Sequence, residues 1–192
     1  MTVPARISRH GTPWRHIGVL GLSVLTGCSA AALGPDALEI ANIRHYNEVP
    51  RSSPTAMVRA FDRFCVNRPA TLQASDAQLR AASYVPTRKQ AGSGVRLYLV
   101  DDKRPAVAIS RNMCLVQAAT RTGQTEMLRA YTAKAFPDAR PMSPDDFGED
   151  IEQAWAVPGN PPAIIATQRR LEPGNRSRYA LIFYLPQDKP KQ

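Results

Sequence analysis

Two short turn clusters near the C-terminus constrain the fold of this chain most. Pro158-Gly159-Asn160-Pro161 and Glu172-Pro173-Gly174-Asn175 separate three β-like runs, at 151–157, 163–169 and 177–185. Gly, Pro and Asn supply the backbone angles that tight turns demand. Connections this short join antiparallel neighbours, because a parallel crossover needs a dozen or more residues. Residues 151–185 therefore read as an antiparallel meander. Upstream, residues 95–100 (Val-Arg-Leu-Tyr-Leu-Val) are β-rich, Asp101-Asp102-Lys103-Arg104 is a turn, and residues 106–110 return as a second strand. Residues 113–118 make a third, on which Cys114, Val116 and Ala118 share one face.

Helical periodicity marks three other stretches. Ser53-Pro54 reads as N-cap and first helical position, and Met57, Val58, Phe61, Phe64 and Cys65 then recur at helical spacing. A second helix is expected from Ser75, with Gln78 completing a capping box, Leu79 and Ala82 facing inward, and Pro86 as the stop. Residues 123–136 form the third, with Met127, Leu128, Tyr131, Ala135 and Phe136 on its apolar side and Pro137 beyond it. A Pro- and Asp-rich loop follows over 138–150. This order implies an α+β fold, an antiparallel sheet of about five to six strands with two to three helices packed on it. Helices on one face leave the other partly solvated. Residues 53–186 are expected to form this single domain, and 187–192 a polar tail.

The N-terminus is of a different character. Residues 1–16 carry Arg6, Arg9 and Arg15 and no acidic residue, and residues 17–25 are uncharged and apolar. A membrane-spanning helix needs roughly 20 apolar residues, so this run is too short. A basic stretch, a short apolar run and a small-residue exit make a secretory signal. The exit, Leu25-Thr26-Gly27-Cys28, resembles the lipobox of bacterial lipoproteins. The resemblance implies cleavage before Cys28, a signal peptide over 1–27, and a diacylglycerol on the Cys28 sulfur. It also implies a membrane partner through that anchor, with residues 28–52 as the tether. Within that tether Leu38, Ile40 and Ile43 either dock onto the domain or start a first short strand. Ser29, where Asp resembles an inner-membrane retention signal, favours the outer membrane facing the periplasm. More than one acyl chain holds firmly, at about 0.8 kcal/mol per buried methylene.

With Cys28 lipidated, Cys65 and Cys114 remain as an even pair. In an oxidising compartment such a pair forms a disulfide, the alternative being two separate buried thiols. Three of the 25 basic residues lie in 1–27, which leaves 22 against 16 acidic residues and a formal charge of +6. A basic surface attracts anions. Outside the cytoplasm these are anionic envelope polymers and headgroups rather than nucleic acid, unless the charge serves solubility alone.

Few constellations carry chemistry. His45 is the only histidine beyond residue 27, which disfavours His-based nucleophilic catalysis and zinc; no metal or cofactor is expected. Gly92-Ser93-Gly94 precedes a strand, where a phosphate-binding loop would follow one. Asp101 and Asp102 suit a turn. Asp145, Asp146, Glu149 and Asp150 cluster in a loop without EF-hand spacing. Arg169, Arg170, Arg176 and Arg178 are candidates for an anion-contacting patch, or else charges that protect a sheet edge. Trp155, Tyr179, Phe183 and Tyr184 read as sheet core. The residues and the resemblance together imply a membrane-anchored envelope lipoprotein with a disulfide-stabilised binding or structural domain and no assigned catalytic residue. The alternative is an envelope hydrolase using Asp145, Asp146 or Glu149 as a carboxylate pair.

Overall fold

The computed structural model describes residues 35–43, 50–87, 94–120, 124–172 and 176–186. Among these residues one sheet contains eight strands: β1 (Val85–Pro86), β2 (Arg96–Leu99), β3 (Ala106–Ile109), β4 (Met113–Thr120), β5 (Arg140–Met142), β6 (Ile151–Val157), β7 (Ala163–Glu172) and β8 (Arg176–Tyr184). Four α-helices accompany them: α1 (Pro35–Asn42), α2 (Pro54–Phe61), α3 (Leu72–Ala81) and α4 (Gln124–Ala135). The strand order is β1-β2-β3-β4-β8-β7-β6-β5, antiparallel throughout. Two four-stranded meanders thus meet along β4 and β8, from Met113 opposite Tyr184 to Thr120 opposite Ser177. The helix α4 lies in the connection between them.

The α+β class and antiparallel sheet hold, but eight strands and four helices replace the expected five to six and two to three. Both missed strands are two or three residues long, contain a proline, and form the two edges of the sheet. Proline donates no ladder hydrogen bond and is tolerated only at an edge. In the sequence the same prolines read as breakers, and three residues are too few to show alternation. Residues 35–42 are helical rather than a strand, and Asp36 of α1 pairs with Arg80 of α3 at 2.8 Å.

The helix starts obey local chemistry. Ser53 caps α2, its Oγ accepting from the Ala56 N–H at 3.2 Å, with Pro54 first in the helix. The α3 cap is Thr71, not Ser75: Thr71 Oγ1 accepts from Ala74 N–H at 3.2 Å. Ser75 is buried in the first turns, and its hydroxyl donates back to the Thr71 carbonyl at 3.0 Å. The end of α3 also comes before Pro86 acts. Ser83 turns to φ +64°, Tyr84 N–H reaches the Leu79 carbonyl and Ser83 N–H the Arg80 carbonyl. This is a Schellman motif, sealed by buried Leu79 and Tyr84.

Beyond α2 the chain makes one π-helical turn, Asp62–Val66, with Asn67 N–H donating to the Asp62 carbonyl. That turn carries Cys65, which is disulfide-bonded to Cys114 of β4 with Cα atoms 5.2 Å apart. The bond staples the helix layer to a central strand. Around it Met57, Phe61, Leu79 and Leu128 from α2, α3 and α4 meet Tyr98, Val107, Val116, Ile165, Tyr179 and Leu181 on one face of the sheet. On the reverse face Ala108, Leu115, Ile182, Ala166 and Ala154 stand in register across five strands.

Candidate functional site

Period-two alternation divides Arg169 from Arg170 and Arg178. Arg169 stands opposite Tyr179 on the helix side of the sheet, whereas Arg170 and Arg178 oppose each other on the reverse side. Arg176 pairs in the ladder with Glu172. Arg169 Nε donates to Glu152 Oε1 at 2.5 Å, an Nη donates to Thr125 Oγ1 at 2.8 Å, and its Cζ lies 5.2 Å from the Tyr179 ring centre. Arg170 Nε donates to Asp150 Oδ2 at 2.9 Å. Arg169 and Arg170, neighbours in sequence, therefore belong to two separate ion pairs on opposite sides of one strand.

The loop carboxylates do not form a cleft. Asp145 and Asp146 occupy an exposed 3-10 turn, Pro144–Phe147, ended by Gly148 at φ +111°. Glu149 is exposed and Asp150 holds Arg170. None of the three described concavities is lined by any of them. Asp102 accepts from the Arg104 backbone N–H and Nε, both at 2.7 Å, as a turn residue does. Cys28, His45, Gly92 and Ser93 lie outside the described residues.

The largest described concavity, about 460 Å³, lies between α4 and the outer strands β5 and β6. Its origin is architectural. The buried side of α4, marked by Leu128, packs over the sheet centre. The floor beyond it is Gln153, Trp155 and Pro141, in register on the two outermost strands. A β-bulge between Ile151 and Gln153 shapes the polar end. A bulge sets two residues against one on the partner strand. Glu152 thus reaches Arg169 and Thr125, while the next residue, Gln153, meets Arg129 of α4 on the same side of the sheet. Arg129 Nε donates to Gln153 Oε1 at 2.9 Å. Thr132, 2 % exposed, lines the concavity with an unpartnered Oγ1. Phe136 and Pro137 close the α4 wall. This site was not legible in the sequence. Trp155 read as core, which is half its role: it packs on the core cluster and also lines the groove.

A second concavity, about 320 Å³, is built on Asp76 of α3. Tyr98 Oη donates to Asp76 Oδ1 at 2.5 Å, Arg96 Nη1 to the same oxygen at 3.0 Å, and Arg80 Nε to Oδ2 at 2.8 Å. Burial alone would raise the Asp76 pKa. The hydrogen bonds from Tyr98 and Arg80, the Arg80 charge and the Arg96 bond outweigh it and hold the carboxyl below its ordinary value. Burial and the Asp76 bond push the Tyr98 phenol up to about 12. With every strong group already paired, this cluster locks α3 onto β2 and presents little to a ligand. A third concavity, about 290 Å³, adjoins Arg68. Arg68 donates to the carbonyls of Ser110 (3.2 Å), Arg111 (2.7 Å) and Met113 (3.3 Å), clamping the β3–β4 turn.

Beneath the first turn of α4 the hydroxyls of Tyr179 and Thr167 are fully buried. Burial raises the Tyr179 pKa, opposed by the nearby Thr125 and Thr167 hydroxyls. Neither hydroxyl closes a hydrogen bond of good geometry with Tyr179.

Among the described residues no three His, Cys, Asp or Glu side chains converge as a metal site, and no helix is long and apolar enough to cross a membrane. Comparison with family models, with curated proteins and with solved structures finds no match to this chain.

Proposed function

We propose that this chain is a lipid-anchored protein of the cell envelope. It is tethered through Cys28 to the outer membrane on the periplasmic side, and its α+β domain binds another envelope component, a protein or an anionic polymer. The observation that carries the reading is the disulfide between Cys65 and Cys114, set in the hydrophobic core. Such bonds persist in oxidising compartments and are rare in the cytosol. This agrees with a basic, apolar and small-residue N-terminus that ends on Cys28. The groove between α4 and β6 supports a binding role: its volume falls within the usual range for ligand sites. Anchoring raises the local concentration of the domain at the surface where its partner resides.

The test is expression of the full chain with its own N-terminus in a bacterial host, with metabolic labelling by a fatty-acid analogue and membrane fractionation. The wild-type chain takes up label and sediments with membranes, and Cys28→Ser abolishes the label. Thiol trapping in the same cells finds Cys65 and Cys114 protected from alkylation until reductant is added. An unlabelled wild-type chain, recovered from the cytosol with both thiols free, would overturn the reading.

A further inference from the structure

The geometry points to the groove between α4 and β6 as a binding site for an acidic saccharide, stacked on Trp155 and held through its carboxylate by Arg129 and Gln153. This inference names the ligand class of the binding role proposed above and rests on that reading.

Hydrogen bonding sets the polarity of this corner. Arg129 Nε donates to Gln153 Oε1 at 2.9 Å, which uses one of the two lone pairs of that amide oxygen. The pair still offers several donors, the Gln153 Nε2 group and the remaining guanidinium N–H groups, which have no partner among the described residues. Arg169, Arg170, Arg80, Arg96 and Arg104 each hold a carboxylate, whereas Arg129 forms no described ion pair. A donor-rich corner with one uncompensated cation suits an anion with two planar oxygens. Shape narrows the ligand class further. Beside this corner stand the half-buried Trp155 and Phe136, with Pro141 on the floor. An aromatic face accepts flat apolar surface, and a pyranose ring has such a surface in its C–H faces while carrying hydroxyls at its rim. In addition, β5 is the sheet edge and only three residues long. The groove has one helical wall and no second helix beyond β5 among the described residues, so it admits a chain that runs past it. A neutral apolar ligand would leave Arg129 unused, and a cationic one would be repelled by it.

Trp155 itself reports the binding. The chain has two tryptophans, so Trp14→Phe leaves Trp155 as the only indole. The full chain carrying that change is titrated with an oligosaccharide of glucuronic acid and with an oligosaccharide of glucose of the same linkage. Saturable change in Trp155 emission with the acidic oligosaccharide, and a much weaker response to the neutral one, is the expected result. Arg129→Gln then weakens the acidic ligand by about tenfold. Lys134→Gln, which removes an equal charge from the exposed side of α4, leaves affinity unchanged. Circular dichroism of both variants checks that the fold is retained. Equal binding of the two oligosaccharides, no saturable response, or an equal loss in Lys134→Gln each overturns the assignment. Failure here with Cys28 still lipid-labelled removes the ligand and leaves the anchored protein. Binding here without labelling of Cys28 removes the anchor and leaves the ligand.

Discussion

Reduction of the Cys65–Cys114 bond isolates what the covalent staple contributes. The two residues are 49 positions apart. Cross-linking a loop of about 50 residues removes chain entropy from the unfolded ensemble worth about 4 kcal/mol. A single domain has a total stability of about 5–15 kcal/mol, so the bond accounts for about a quarter or more of it. Both sulfurs are fully buried against Phe64 and the central strands, and reduction leaves them in place, so packing changes little. The comparison is therefore oxidised against reduced protein of one sequence, in a Cys28→Ser background that removes the third thiol. Urea unfolding followed by circular dichroism should show the reduced form less stable by about 3–4 kcal/mol. Its denaturant slope should be steeper, because its unfolded chain is less compact. A loss below about 1 kcal/mol would refute the reasoning and place the stability of this junction in non-covalent contacts, such as the three carbonyl bonds from Arg68.

Other perturbations read other parts of the fold. Asp76→Asn weakens the bonds from Arg80, Arg96 and Tyr98 and should cost about 1–3 kcal/mol at pH 7 in urea unfolding. Because the Asp76 pKa is depressed in the folded protein, its contribution is present above the unfolded value near 4 and is lost as pH falls through the folded value. The gap between wild type and Asp76→Asn should thus narrow as pH falls below the ordinary carboxylate range, and a gap that stays constant throughout the acid range contradicts the charge-based account. Tyr84 and Tyr98 are each pushed up to about 12. Burial also raises Tyr131 and Tyr179, so ultraviolet titration should show these four phenols ionising above the ordinary value near 10, and stability should fall as pH rises from 10 toward 12. Normal titration of all tyrosines in the folded protein would count against the burial of this pair. Thr132→Val replaces an unpartnered buried hydroxyl with a methyl group and should leave stability unchanged or raised; a loss above about 1 kcal/mol would show that the hydroxyl has a partner.

Much of the architecture is written locally. Residues 151–157 are a strand with the bounds that alternation and turn chemistry assign, and Ser53-Pro54 starts α2 as capping rules demand. The stripe from Met57 to Cys65 faces the core because helical spacing leaves it no other option. Where local signals competed, the sequence was a poorer guide. Thr71 and Ser75 are both acceptable caps, and the choice of Thr71 puts Ser75 inside α3, where its hydroxyl finds backbone carbonyls. Pro86 and Pro141 are breakers by composition and strand residues in fact, because each lies on an edge where a missing N–H costs nothing.

The sequence by itself determined the α+β class and the antiparallel meander over residues 151–185, because periodicity and turn residues act over a few positions at a time. Only the tertiary structure decided which strands are neighbours, since the β4–β8 pairing joins residues as far apart as Met113 and Tyr184. It alone divided Arg169 from Arg170 and Arg178, because the side a strand residue faces is set by its register in the sheet. It alone assembled Arg129, Gln153 and Trp155 into one groove. That groove depends on a bulge at Glu152 and on how far α4 reaches across the sheet, and both are outcomes of packing between segments distant in sequence.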